Sequence, residues 1–178
     1  MLDACVLYPT VMREVLLGAA GAGFYEPRWS VRILEEWALA ARKLGPEGEA
    51  VARGDAAMAE ARFPGASVPV TPEQVAGHWL PDPDDAHVLA AAVVGSCDGI
   101  VTVNAKDFPR NLLTEEGLWR SDPDTLLVGF FEAAPDRMRP VAEAVLAEAN
   151  RLSPAPWEMR ALMKKARLPR FGKALVRD

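Results

Sequence analysis

The amino-acid sequence predicts an α/β fold with a mainly parallel central sheet, followed by a C-terminal helical extension. Short apolar segments that resemble buried strands alternate with longer segments of helical periodicity. Half of the 178 residues are hydrophobic, which is enough to form a sizeable core. Beyond about residue 122 the apolar patterns are all helical. We therefore predict a first domain over residues 1–122 and a helical region over residues 123–178.

Buried strands are predicted where an apolar run is short and bounded by proline, glycine or polar residues. Four segments fit this description: LDACVLYP (2–9), FYEPRW (24–29), SVPV (67–70) and GIVTVN (99–104).

Helices are predicted where apolar residues recur at helical spacing between start and stop signals. Ser30 is a candidate N-cap and Gly45 a candidate stop for one of them. The segment DTLLVGFFEAAP (124–135) fits a strand or a helix, and Asp122 followed by Pro123 favours the helix. The predicted helical segments are residues 10–23, 30–45, 46–65, 83–95, 124–135, 136–152 and 156–168.

Composition excludes several classes of protein. No apolar run approaches the length of a membrane span, and the first residues do not resemble a secretory signal. Cys5 and Cys97 are far apart and form no CxxC motif, so we expect free thiols and a cytoplasmic location. With only two histidines, a His-rich zinc site is not expected.

The stretch LPDPDDAHVLAAAV (80–93) places three carboxylates immediately before a predicted helix. One explanation is structural: Asp82 is the N-cap, Pro83 the first helical residue and Asp85 an acid in the first turn, where the helix dipole stabilises negative charge. The other explanation is that the carboxylates bind a cation. The segment alone is compatible with both.

Other polar residues are predicted at the same edge of the sheet. Asp3 lies in the first predicted strand, and Asn104 and Asp107 follow a later one. In parallel α/β sheets, ligands bind beyond the carboxyl ends of the strands. Carboxylates that converge there need a compensating charge, and the hard cations Mg²⁺ and Mn²⁺ prefer oxygen ligands.

The order of LDACVLYP, WSVRILEEW, DPDDAHVLAAAV and IVTVNAKDFP resembles the PIN domain, the nuclease fold of VapC-type toxins, over about residues 1–130. The resemblance implies a three-layer fold in which four acids bind one or two divalent metals. Glu36 rather than Glu35 is selected by its distance from Ser30. The implied metal ligands and catalytic residues are Asp3, Glu36, Asp85 and Asp107, with Asp82 and Asn104 in support. Thr102 either orients a ligand or water or is an ordinary strand residue.

The same resemblance implies a Mg²⁺- or Mn²⁺-dependent endoribonuclease, the toxin of a type II toxin–antitoxin pair, that cleaves RNA with a metal-activated water. It also implies single-stranded or looped RNA as substrate, a cognate antitoxin and frequent homodimers. Two alternatives stay open. One is a PIN-like RNA-processing nuclease outside a toxin–antitoxin system. The other is an α/β binding or phospho-receiver module without catalysis, although Asp3 lacks the adjacent acid that a receiver needs.

Charge is distributed unevenly along the chain. Residues 160–178 carry a net charge of +6, whereas the remaining residues carry −11. Such a tail is either a polyanion-binding arm, a solvated helical face or a dock for an acidic partner. The basic residues with a predicted role in RNA binding are Lys106, Arg110, Lys164, Lys165, Arg167 and Arg170.

Overall fold

The computed structural model describes residues 1–177 and contains both helices and a parallel sheet. Short 3₁₀ turns at Ala41–Leu44 and Pro83–Asp85 extend two of the helices. The elements in chain order are α1 (Ala4–Leu7), α2 (Thr10–Gly21), α3 (Val31–Ala40), α4 (Gly48–Arg62), α5 (Pro72–Ala76), α6 (Ala86–Val94), β1 (Gly99–Val101), α7 (Arg110–Glu115), β2 (Trp119–Ser121), α8 (Pro123–Ala133), α9 (Pro135–Leu152), α10 (Met159–Lys165) and α11 (Pro169–Leu175).

The described residues form two compact units. The first contains Met1–Tyr8 and Pro27–Ser121, and the second contains Pro9–Glu26 and the described residues from Asp122 onward. Helix α2, although it comes early in the chain, packs on α8 and α9 in the second unit. The division into a nuclease region and a helical region at residue 122 remains a prediction. No helix within residues 1–177 combines the length and apolar character that a membrane span requires.

A ladder of five extended segments runs through the first unit. Strands β1 and β2 pair in parallel, and the other members contribute only isolated bridges, Leu2 to Val101 and Trp29 to Ser67, both parallel. The Leu2 amide also donates to the Arg28 carbonyl at 2.8 Å, which joins the two halves of the ladder. The order across it is 66–68, 28–29, 1–3, 98–102 and 119–121. The predicted α/β class with a parallel sheet and C-terminal helices is confirmed.

The predicted strand over residues 2–9 is wrong beyond its first residues. The backbone stays extended only as far as Asp3 and then enters α1, with Asp3 as the N-cap and a long bond of 3.5 Å from the Cys5 amide to its carboxylate. The predicted strands at 24–29 and 67–70 are reduced to the bridge between Trp29 and Ser67. Strand β2, conversely, was not predicted.

The predicted helices are confirmed where the local start and stop signals are strong. Ser30 Oγ accepts from the Ile33 amide at 3.3 Å, and Asp122 Oδ1 accepts from the Thr125 amide at 2.9 Å. Pro123 is the first residue of α8, as the pattern predicted. Gly45 ends the α3 segment with φ of +126°, a conformation that residues with a Cβ rarely adopt.

Helix α6 is buried along most of its length. Seven consecutive residues from Ala86 to Ala92 are buried, and six of them are apolar. A helix that is apolar all round is stable only when other elements cover it on every side. Its first turn is therefore held in place, and with it the acidic stretch that precedes the helix.

Helices α10 and α11 account for the basic tail. Their apolar side chains are buried, while the basic side chains from Arg160 to Arg177 are exposed. The tail is therefore a folded part of the second unit, and its role in RNA binding stays a prediction. The buried apolar residues are Leu162, Met163, Leu168, Phe171 and Leu175.

Asp124 on α8 stabilises the start of α11 from a distant position in the chain. Its carboxylate accepts from the Arg170 amide at 3.0 Å and the Phe171 amide at 2.8 Å, two donors that have no partner within their own helix. Asp124→Asn should lower the free energy of unfolding by about 1–3 kcal/mol, because one acceptor becomes a donor facing buried N–H groups. Urea denaturation measures the change.

The matched control is Asp136→Asn, which alters an exposed acid in the first turn of α9. Its effect should stay within about 0.5 kcal/mol, as for most surface substitutions. Equal effects of the two substitutions would show that the bonds from Asp124 do not stabilise the second unit.

Candidate metal centre

Three aspartates converge at one end of the ladder in the first unit. Asp82, Asp85 and Asp107 each offer a carboxylate oxygen, and these oxygens all lie within 4.8 Å of one another. Asp82 and Asp85 belong to the turn before α6, whereas Asp107 lies in the segment that follows β1. Residues separated by more than 20 positions are thus brought to one point, which we call the aspartate trio.

The turn before α6 uses its carboxylates in two different ways. Asp82 Oδ1 accepts from the Asp84 amide at 3.0 Å, so Asp82 caps the 3₁₀ turn as the structural explanation predicted. Asp85 occupies the N-cap position of α6 but makes no capping bond with its side chain. Capping therefore explains Asp82 and leaves the Asp85 carboxylate unexplained.

Asn104 connects the segment after β1 to the turn before α6. Its side-chain amide donates to Asp85 Oδ2 at 3.2 Å, and its backbone amide donates to Thr102 Oγ1 at 2.9 Å. Arg120 on β2 holds the same segment by donating to the carbonyl oxygens of Ala105 and of Phe108, the latter at 2.6 Å. These bonds fix the backbone on both sides of Asp107.

Asp3 lies beside the trio and is almost fully buried, with 6% of its surface exposed. Its Oδ2 accepts from Thr102 Oγ1 at 2.6 Å and from Cys5 Sγ at 2.9 Å. Burial, followed by the charge of Asp3, raises the pKa of the Cys5 thiol to about 12, so the thiol remains a donor. Asp3 is not one of the three closest acids, but its charge acts on Asp85.

Burial and electrostatic repulsion act together at Asp85. Burial is the largest cause, and the charges of Asp3, Asp82 and Asp107 add to it; together they raise the pKa of Asp85 from 3.8 to about 6. A nearby cation, Lys106, has its Nζ 3.8 Å from Asp107 Oδ2, but its side chain is 85% exposed and the pair is weak. The cluster is therefore short of positive charge.

This donor set fits a hard divalent cation. All the converging ligand atoms are carboxylate oxygens, which Mg²⁺ and Mn²⁺ prefer over softer ligands. Asp82, Asp85 and Asp107 would hold the ion directly, and Asp3 is placed close enough to contribute its charge. Cys5 remains a hydrogen-bond donor to Asp3 and does not belong to the trio.

Glu36, like Asp3, is a predicted metal ligand that lies outside the trio. Its Oε1 lies 2.9 Å from His87 Nε2 and 3.1 Å from Arg32 Nε. Burial alone would raise the pKa of Glu36, but His87 and Arg32 outweigh it and lower the pKa. Arg32 also donates to the Asp84 carbonyl at 3.2 Å, so this group of contacts joins α3 to the turn before α6.

Two residues of the centre were missed by sequence reasoning. Cys5 could have been found, because it lies two residues after Asp3, the N-cap of α1, within reach of the capping carboxylate. Arg120 carries no local signal, since its partners lie 12 and 15 residues away in an irregular segment. Of the predicted basic residues, Lys106 and Arg110 are exposed on either side of Asp107, and the other four lie in the second unit.

The raised pKa of Asp85 predicts a pH-dependent stability in the absence of divalent cations. Protonation of Asp85 stabilises the folded state, and this contribution is lost as the pH rises from about 4 through about 6. Asp85→Asn should therefore raise the melting temperature above pH 6 and have a smaller effect near pH 4. Thermal scans in EDTA between pH 4 and pH 8 measure the difference.

Addition of Mg²⁺ at pH 7 is the control for this experiment. The ion should stabilise the wild-type protein more than Asp85→Asn, because a ligand that binds only the folded state adds to stability. A difference in melting temperature that does not change with pH would mean that Asp85 is not repelled by its neighbours.

Thr102 is predicted to orient Asp3 through its hydroxyl group. Thr102→Val removes the 2.6 Å bond to a buried carboxylate while preserving the shape of the side chain. Loss of a bond that orients a metal-site carboxylate typically weakens metal binding by about 10- to 100-fold. Calorimetric titration with Mn²⁺ should show this loss for Thr102→Val and near wild-type affinity for Thr102→Ser. If Thr102→Val binds Mn²⁺ as tightly as the wild-type protein, the Thr102 hydroxyl group does not contribute to metal binding.

Comparison with known families places this centre in context. A family model described as PIN domain matches residues 1–106, which include Asp3, Glu36, Asp82, Asp85 and Asn104 and end just before Asp107. Searches of curated proteins and of solved structures returned no match. PIN domains are generally metal-dependent nucleases. With 106 of its residues matched and an aspartate trio at the edge of its parallel ladder, the chain belongs to the PIN domain family.

Proposed function

We propose that the protein is a divalent-metal-dependent endoribonuclease, the toxin of a type II toxin–antitoxin pair, that hydrolyses phosphodiester bonds of RNA. The observation that carries the proposal is the aspartate trio with Asp3 beside it, a group of carboxylates that repel one another and lack a strong cationic partner. A cluster held in this state by the fold is better explained by binding a cation than by stability.

The protein residues in this proposal hold and orient the site. Asp82, Asp85 and Asp107 bind Mg²⁺ or Mn²⁺, and Asn104 and Thr102 fix the directions of Asp85 and Asp3. The bound cation supplies an activated water as nucleophile and offsets charge on the leaving oxygen. Glu36 contacts Arg32 and His87 and thereby supports the turn that carries Asp82 and Asp85. The proposal also includes Glu36 as a ligand of the cation.

The charge of the first unit limits how RNA reaches the site. Acids exceed bases by six among residues 1–8 and 27–121, so the unit alone repels a polyanion. Phosphate contacts come mainly from Lys and Arg. Lys106 and Arg110 flank Asp107 and are the candidates within the first unit. The other predicted residues, Lys164, Lys165, Arg167 and Arg170, are exposed in the second unit.

The proposal includes a cognate antitoxin, which the resemblance to VapC-type toxins implies and with which the charge of the trio is compatible. A partner that inserts a basic side chain among the carboxylates would compensate the charge that a metal otherwise compensates, and would exclude the metal. Expression of the wild-type chain should then arrest growth of a bacterial host, and expression of Asp85→Asn should not. Cleavage without growth arrest would instead favour an RNA-processing nuclease outside a toxin–antitoxin system.

Substitution of the acids tests the chemistry directly. Asp3→Asn and Asp85→Asn should each lower RNA cleavage by at least about 100-fold, because a weakened cation site no longer activates water. The fold should be intact, since each substitution removes repulsion. Single-stranded oligoribonucleotides are incubated with Mg²⁺ or Mn²⁺, and the products are resolved on gels.

Asp84→Asn is the matched control, because Asp84 is an exposed acid in the same turn and lies outside the trio. It should cleave at close to the wild-type rate. If Asp85→Asn cleaves as fast as Asp84→Asn under saturating metal, Asp85 is not part of the catalytic machinery. Absence of cleavage by the wild-type protein with either metal would favour a binding module.

A further inference from the structure

Trp79 is the most exposed aromatic residue of the first unit. Its surface is 69% exposed, whereas Trp29 and Trp37 are buried in the core. A single exposed apolar side chain is ordinary, so exposure alone explains nothing. The position of Trp79 is what requires explanation: it lies three residues before Asp82, in the segment between α5 and the turn that carries the aspartate trio.

The residues on both sides of Trp79 are anchored. His78 Nδ1 lies 3.3 Å from Glu116 Oε1, and Leu80 is almost completely buried, with 1% of its surface exposed. Pro81 then restricts the backbone that leads to Asp82. With its neighbours held by contacts inside the unit, Trp79 presents its ring to solvent from a fixed segment rather than from a free loop.

Chain geometry limits the distance between this ring and the trio. Three residues span at most about 11 Å between the Cα atoms of Trp79 and Asp82. Asp82 has an oxygen within 4.8 Å of oxygens of Asp85 and Asp107. The Cα atom of an exposed tryptophan therefore lies within about 11 Å of the Cα atom of one trio member, within reach of the acids that would hold the reacting phosphate through a cation.

We propose that Trp79 forms a base-binding subsite, in which its indole ring stacks on an unpaired nucleobase of a single-stranded RNA next to the scissile phosphate. This inference rests on the proposed function and adds to it a residue that contacts a base of the substrate. Stacking on an aromatic ring is available to every base, so the subsite would favour single strands over duplexes without selecting a sequence. It would also provide affinity that does not depend on phosphate charge, in a unit with excess acids.

Binding is measured in the full chain carrying Asp85→Asn, with Mg²⁺ and a labelled single-stranded oligoribonucleotide of mixed sequence. Adding Trp79→Ala should weaken binding by about 5- to 100-fold, the range measured when stacked aromatics are replaced by alanine. Trp79→Phe should retain most of the affinity. The matched control is Met58→Ala, which removes a side chain that is 65% exposed on α4, and it should have no effect.

Abasic substitution identifies stacking as the cause. At one position of the oligonucleotide, removal of the base should weaken binding to the parent protein, the chain that carries Asp85→Asn alone. The same abasic substitution should not change binding to the chain that also carries Trp79→Ala, because the two changes remove the same interaction. If Trp79→Ala binds as tightly as the parent, or remains sensitive at every abasic position, the subsite does not exist. A melting temperature within a few degrees of the parent value shows that Trp79→Ala remains folded.

The cleavage assay separates this inference from the proposed function. Cleavage by the wild-type protein with unchanged kcat/KM in Trp79→Ala would support the nuclease and overturn the subsite. Failure of the wild-type protein to cleave, together with Trp79-dependent binding of single strands, would overturn the nuclease and retain the subsite. Failure to bind any single-stranded RNA would overturn both.

Discussion

Mutual repulsion among carboxylates held at one edge of a parallel ladder is the constraint on which the first unit depends. Asp85 experiences the charges of Asp3, Asp82 and Asp107, and burial removes much of the water that would screen them. The fold opposes this repulsion through the packing of the buried helix α6 and through hydrogen bonds from the Thr102 hydroxyl group and the Arg120 side chain. The acids are therefore positioned by the fold and cannot relax apart, which is the condition for binding a cation with little reorganisation.

The two explanations of the acidic stretch before α6 prove to be complementary. One oxygen of Asp82 caps the turn, while a carboxylate oxygen of the same residue belongs to the trio. Asp85 stands at the N-terminus of α6, where the helix dipole favours negative charge, yet its pKa is raised. The favourable effect of the dipole is therefore smaller than the combined cost of burial and of the neighbouring acids. Capping shapes the turn, and the turn then presents the remaining carboxylate oxygens.

Local patterns in the sequence were sufficient for the α/β class, for the helices that begin at Ser30 and Asp122, and for Asp85 and Asp107 as neighbours in space. Local patterns were insufficient wherever a residue's contacts are with residues far away in the sequence. The first segment was predicted as a strand because it is apolar, but hydrogen bonds support it only as far as Asp3. Glu36 was predicted as a metal ligand together with the aspartates. Its contacts are with Arg32 and His87, and these depend on how α3 packs. Strand β2 was missed because it is three residues long and mostly polar.

The central place of residues 1–3 in the ladder has a consequence for how the first unit folds during synthesis. Their neighbours at 98–102 and the outer strand with Arg120 are made about a hundred residues later. Closing so long a loop is entropically costly, and such non-local pairing slows folding. A nascent chain that ends before Arg120 therefore has Asp3, Asp82 and Asp85 but lacks the hydrogen bonds that hold the Asp107 segment. Assembly of the aspartate trio is thereby tied to completion of the first unit.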